Sequence, residues 1–201
     1  SGPDLIVSHP PAMHCAWHPV HTLRPDDRRR RILTKPVANP PPAFSPHAKP
    51  HASEGGAHDT LAKQLGLLDT EYLNEKKIGR VGTLKCELPL VEFTRFVVKS
   101  LACNGLRYTD CGKPVHRVAV GGGACGDYED AAIRAGCDTF VTADLCYHTF
   151  LDAEGKGINL IDAGHFPTED PVCGRLISYL TARFPELAVS KATSHREVIQ
   201  Y

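Results

Sequence analysis

In the second half of the chain, short apolar runs alternate with segments of helical period. Val115–Val120, Thr139–Thr142 and Ile158–Ile161 read as strands, the last of them in an apolar run that reads as buried. Between them Asp127–Ala135 and Cys146–Glu154 predict helices, the first closed by Gly136. Pro171–Phe184 carries Val172, Leu176, Leu180 and Phe184 four apart and predicts a longer helix, and Ala188-Val189-Ser190 predicts a last strand. Upstream, Leu90–Leu101 reads as an amphipathic helix after Pro89, with Val91, Phe93, Val97, Val98 and Leu101 as its apolar set. Ile78–Gly82 and Leu106-Arg107-Tyr108 predict short strands. Asp59 is the expected N-cap of a helix bearing Leu61, Leu65 and Leu68, ended near Gly66. The chain enters directly into Leu5-Ile6-Val7, a predicted strand that stops at Ser8-His9-Pro10-Pro11. Such alternation argues for an α/β sheet. From Ala12 to Pro50 the period is lost: Pro36, Pro40, Pro41, Pro42, Pro46 and Pro50 break helices and central strands, so residues 12–50 are expected to be mostly irregular.

Composition narrows the class. The 201 residues are 42% hydrophobic, and 23 Lys+Arg balance 23 Asp+Glu, which argues against nucleic acid or an anionic membrane as partner. The one charge block, Asp26-Asp27-Arg28-Arg29-Arg30-Arg31, reads as a solvated loop. None of the 8 cysteines forms a Cys-x-x-Cys pair, so reduced thiols and a cytoplasmic location are the expectation. No run approaches a membrane span, and no signal peptide precedes the first strand. That abrupt entry suggests that an N-terminal part is missing from this chain. Of 11 histidines, His9, His14, His18, His21, His47, His51 and His58 fall in the first third, a clustering that points toward metal.

Four patterns carry chemistry. Gly164-His165-Phe166-Pro167-Thr168-Glu169 lies where a predicted strand meets a predicted helix, the place where sites form in open α/β sheets. Its imidazole and carboxylate suit a divalent transition metal. Gly121-Gly122-Gly123-Ala124-Cys125-Gly126 fits the dinucleotide-loop pattern, but the next strand begins too soon for a Rossmann unit; a tight strand-to-helix turn, or a phosphate held near Gly122 and Gly123, are the other readings. In Thr142-Ala143-Asp144-Leu145-Cys146-Tyr147-His148, Asp144 is expected to cap the next helix, with substrate contact as the alternative, and His148 one turn on is a candidate for proton transfer. His47 and His51 stand four apart, but Pro50 denies them a regular helix, so they converge only from a loop.

These residues resemble the Nif-three-like family, whose bacterial members are called GTP cyclohydrolase I type 2 homologues. The likeness rests on Asp4–Pro11, Gly55-Gly56 with Asp59-Thr60-Leu61-Ala62, the Gly121-Gly122-Gly123 loop, Thr142–His148 and Gly164–Glu169. It is collinear from Ser53 to Tyr201 and patchy before. The resemblance implies two similar α/β lobes with mixed sheets flanked by helices: residues 1–84, an incomplete N-terminal lobe, and 85–201, the C-terminal lobe. It places a dinuclear metal site in the cleft between them and implies a homohexamer. Carried over by motif, His165, Glu169, His9 and His47 are metal ligands, and His51 stands where the family has a bridging aspartate. An imidazole coordinates one cation where a carboxylate bridges two, so one metal per chain, of the zinc, iron or manganese class, becomes the alternative to two. The implied activity is metal-dependent hydrolysis of a nucleotide or phosphoester, with His148 as the catalytic candidate and Gly122, Gly123 and Asp144 facing the substrate. Two rivals stand beside it: a non-catalytic metal-binding or regulatory assembly protein, and a nucleotide-binding oxidoreductase using the Gly121 loop.

Overall fold

The computed structural model describes residues 3–8, 42–44 and 54–199. The chain divides into two compact units, 1–50 and 51–201. In the first, β1 (Ile6–Val7) and β2 (Ala43–Phe44) pair in parallel, Ile6 opposite Ala43 and Val7 opposite Phe44. The expected irregular segment 12–50 lies almost entirely outside the described residues, as do His9, His47 and His51.

The second unit is built on one six-stranded mixed sheet. Its strands are β3 (Leu68–Tyr72), β4 (Arg80–Leu88), β5 (Arg107–Thr109), β6 (Val115–Val120), β7 (Thr139–Thr142) and β8 (Asn159–Asp162), in the spatial order β3-β4-β6-β7-β8-β5. β6, β7 and β8 are mutually parallel, and the outer pairings are antiparallel. The sheet therefore runs across the 84/85 position. Strand period 2 splits the apolar residues between two layers. Val118, Val120, Val141 and Ile161 face one side, under α1 (Ala57–Gln64) and α2 (Leu90–Leu101). Ala119, Phe140 and Leu160 face the other, under α3 (Glu129–Arg134) and α4 (Tyr147–Lys156). Every residue of β7 and β8 is buried, which is why the sequence shows runs there and not alternation.

α2 forms where its period predicts, from Pro89 at the N-cap to Ala102, a left-handed residue at φ 52°. It buries Leu90, Phe93, Thr94, Val97 and Leu101, whereas Val91, counted in the apolar set, lies on the solvent side. α1 begins at N-cap Gly56, not at Asp59: the Asp59 carboxylate reaches back from the first turn to accept the Gly55 N–H at 2.6 Å and pairs with the buried Arg80 guanidinium. Leu68 belongs to β3 and is exposed, because α1 ends at Gln64. β3 itself had no sequence signal, since all five of its residues are exposed on a sheet edge. Ala188–Ser190 is not a strand and pairs with no other strand. Among the described residues no helix is long and apolar enough to cross a membrane.

Candidate metal centre

β7 and β8 are parallel neighbours, so the loops leaving their C-terminal ends meet at one edge of the sheet. The loop after β7 carries Asp144, and β8 is followed by α5 (His165–Glu169) and then α6 (Pro171–Arg183). Gly164 sets up α5 at φ 88°, a conformation a side chain resists. The motif read as a strand-to-helix passage is thus itself a short helix, and four-residue spacing stacks His165 and Glu169 on one face.

Asp144 is not the helix cap. It sits at φ 56°, α4 begins only after Cys146, and its carboxylate instead meets His165 Nδ1 at 2.6 Å. The other ring nitrogen, Nε2, lies 3.4 Å from Glu169 Oε2. Glu169 is largely covered, at 17% side-chain exposure, while His165 and Asp144 are about half exposed at 45% and 48%. Two carboxylates around one imidazole hold its proton: Glu169 first, and Asp144 after it, raise the His165 pKa to about 9 against the opposing effect of burial.

The glycine loop is the wall of this pair. A Cβ on Gly123, at φ +70°, would stand 2.5 Å from Glu169 Oε1 and 3.2 Å from His165 Nε2. A Cβ on Gly122 would meet the Thr168 carbonyl at 3.0 Å. The loop's own amides turn inward: Gly122 N–H donates to His58 Nδ1 at 3.1 Å, and Gly123 N–H to Thr168 Oγ1 at 3.0 Å. A phosphate on this loop competes with those bonds, and the helix behind it is a single 3-10 turn leading into the six-residue α3, which weakens the oxidoreductase reading. Cys125 in the loop is no nucleophile, for burial, with Glu169 nearby, pushes its thiol up to about 12.

His148 is exposed on α4, its ring edge-on to Tyr147 at 5.9 Å. The helical spacing that put it beside Asp144 does not hold, because Asp144 lies outside α4 in left-handed conformation. Asp144 also lines an open cavity of about 410 Å³ with Asp127, Glu129, Asp130, Cys146 and Asp152. Lys156 pairs with Glu129 and Asp130, and the remaining carboxylates repel a polyanion unless a further cation intervenes.

Sequence reasoning missed the supports. Thr168, fully buried, accepts from Gly123 and lies 2.9 Å from the carbonyls of Gly164 and His165, to which it donates. Asp162, the polar end of an apolar run, accepts Leu145 N–H and Gly164 N–H, each at 3.1 Å, and the Arg107 guanidinium. A polar residue closing a buried strand was the available signal.

The raised pKa of His165 has a consequence for stability. Its folded value, about 9, exceeds the ordinary 6.5, so in chelator its stabilisation is complete below pH 6.5 and is lost as pH rises through 9. Discounted for solvent screening, the loss is about 1 kcal/mol, a Tm lower by about 2–4 °C. Scanning calorimetry of parent and His165→Ala at pH 6 and pH 9.5 checks it, and an equal shift in both proteins refutes it.

Comparison with known proteins places the chain. A family model described as Duf34/NIF3 (NGG1p interacting factor 3) matches residues 1–197. The chain is 30% identical over 178 residues to a GTP cyclohydrolase 1 type 2 homolog of Clostridium perfringens, covering 85% of this chain and 67% of that relative. A protein of the same description from Nostoc is 32% identical over 188 residues, covering 88% and 69%. The crystal structure of the Staphylococcus aureus hypothetical protein SA1388 shares the fold, with a TM-score of 0.86 at 20% identity over 98% of this chain and 80% of that one.

Proposed function

The chain belongs to the Duf34/NIF3 family, and from that premise we propose that it is a divalent-metal-binding hydrolase of nucleotides or phosphoesters. One observation carries the reading: Asp144 holds Nδ1 of His165 while Nε2 faces the Glu169 carboxylate. The pair supports a carboxylate–histidine–metal arrangement, in which the outer carboxylate would fix the tautomer and aim the deprotonated nitrogen at an ion. The donors present fit such an ion. One imidazole nitrogen and one carboxylate oxygen converge, and the glycine wall leaves them room. His9, His47 and His51 enter the ligand set on the resemblance alone, and with them the choice between one and two metals.

When bound, the cation supplies Lewis acidity and lowers the pKa of water. The chain's own residues do the rest. Asp144 keeps the Nδ1 proton in place, so His165 presents Nε2 without tumbling. Glu169, held by α5, is a ligand and not a free base. His148 is the proton-transfer candidate, on the exposed face of α4. The carboxylates around Asp144 admit a nucleotide's phosphates only with cations, which favours a substrate that arrives with its charge neutralised. The relatives' description makes GTP the first substrate to try, with attack at a phosphoester or at a purine carbon.

The test is turnover of GTP and other nucleoside triphosphates by metal-loaded protein, reading released phosphate and the purine absorbance. Metal-dependent turnover abolished by Glu169→Gln supports a hydrolase. Full metal content without turnover of any nucleotide or phosphoester overturns it in favour of a non-catalytic metal-binding protein. Asp144→Asn is expected to weaken metal binding by about 10–100-fold without unfolding the chain, since a neutral amide no longer favours the Nδ1 proton. Competition against a metal-sensitive dye reads that change, and an unaltered affinity removes Asp144 from the site.

A further inference from the structure

We propose that Asp170, Cys173 and His195 form a second cation site, separate from the His165–Glu169 pair, that takes a thiophilic divalent ion of the zinc class. Asp170 immediately precedes α6 and Cys173 is its third residue, one turn on, so both side chains share a face. His195 comes from the segment that follows α6. One ligand atom of each residue lies within 4.8 Å of the others.

The donor set is the one zinc selects: a cysteine sulfur, an imidazole and a carboxylate, with water free to complete a tetrahedron. The spacing agrees. Zn–S and Zn–N bonds in a tetrahedron place sulfur and nitrogen roughly 3.6 Å apart, and nitrogen and oxygen roughly 3.3 Å apart. Cys173 Sγ and His195 Nε2 are 3.8 Å apart, and His195 Nε2 and Asp170 Oδ1 are 2.9 Å apart. Those two separations lie within a few tenths of an ångström of the tetrahedral values, and the third falls inside the same 4.8 Å limit. The imidazole is already positioned, packed on the Phe166 ring at 4.8 Å between centroids.

A cation stands there already. The Lys191 ammonium lies 2.5 and 2.7 Å from the two Asp170 oxygens. Its side chain is 37% exposed on a flexible stem, so it can withdraw into water when a divalent ion enters. Lys191 is therefore the competitor of the site and not one of its parts. A metal here fastens the segment after α6 to the end of α5, directly beside Glu169. Nothing in this inference depends on hydrolysis or on the His165 centre.

The experiment is titration of the whole chain with Co(II), followed by absorbance, in a His165→Ala/Glu169→Gln background that removes the first centre. A thiolate-to-cobalt charge-transfer band in the near ultraviolet, with tetrahedral bands in the visible, is expected at one equivalent. Cys173→Ser is expected to abolish the charge-transfer band, and His195→Ala to weaken binding at least about tenfold. Lys191→Ala is expected to tighten it, the reverse of what a purely structural Asp–Lys–His network gives. Absence of the band in the background protein and in its Lys191→Ala derivative overturns the site, as does a band that survives Cys173→Ser and so belongs to another thiol such as the exposed Cys146. In the parent protein, absence of nucleotide turnover with the band retained leaves this site standing and overturns only the hydrolase.

Discussion

Protein carrying His165→Ala, purified without chelator beside its parent, is expected to lose metal at the centre where Glu169 faces His165. The substitution removes the imidazole that Asp144 holds by Nδ1 and whose Nε2 stands 3.4 Å from Glu169. If His165 is a ligand as proposed, the affinity loss should exceed the roughly 10–100-fold expected of Asp144→Asn, because the ligand itself is gone and not only its support. The fold should survive. His165 is 45% exposed, so no closed cavity opens, and the core layers on either side of the sheet are untouched. Metal loss with retained circular dichroism is therefore the expected signature, read by elemental analysis per chain.

The parent's own content then divides the readings. Two metals per chain, with loss in the variant, fit a dinuclear site. One means that His51, in place of a bridging aspartate, leaves a mononuclear centre. None in the parent refutes the metal reading. Proton competition sharpens the test: with the metal-free imidazole protonated up to about pH 9, apparent affinity should climb as pH rises toward that value. An affinity flat with pH is inconsistent with His165 as a ligand.

The α/β sheet was legible because its central strands are covered on both faces. Thr139–Thr142 and the run into Asp162 have no solvent side to interrupt them, whereas Val115–Val120 carries half-buried His116 and Arg117 among buried apolar residues. β3 was invisible for the opposite reason, since an exposed edge strand need not alternate. Ala188-Val189-Ser190 resembled a strand in composition, yet it pairs with no strand among the described residues. At the site, His165 and Glu169 could be read from their place after a buried strand and from the family motif. Asp144 could not be read correctly, because an aspartate three residues before a helix looks like a cap; its left-handed backbone, which turns the side chain to His165, has no signature in a single sequence. The inference open in principle was topological: parallel adjacent strands bring the loops after Thr142 and Asp162 together.

That same adjacency makes Asp162→Ala the substitution expected to cost most stability. Asp162 is 2% exposed and ends β8. One oxygen accepts the Gly164 N–H that opens α5; the other accepts the Leu145 N–H beside Asp144 and the Arg107 guanidinium. A single carboxylate thus ties together the two loops whose side chains meet as Asp144 and His165. Alanine leaves both N–H groups buried without an acceptor. Arg107, half exposed, recovers its hydration and adds little. Stranded buried donors and a lost charged acceptor together cost about 3 kcal/mol, and Tm falls by roughly 6–12 °C. Asp162→Asn keeps one acceptor oxygen and should lose about half as much. Because the loops are coupled through this group, metal affinity should fall in step with stability, whereas in His165→Ala affinity falls with only the loss of about 2–4 °C that goes with the imidazole's charge. Thermal unfolding of the three proteins beside their metal content separates these cases. A Tm for Asp162→Ala within about 2 °C of the parent would mean that the loops hold each other through the Asp144–His165 contact and do not depend on the carboxylate beneath them.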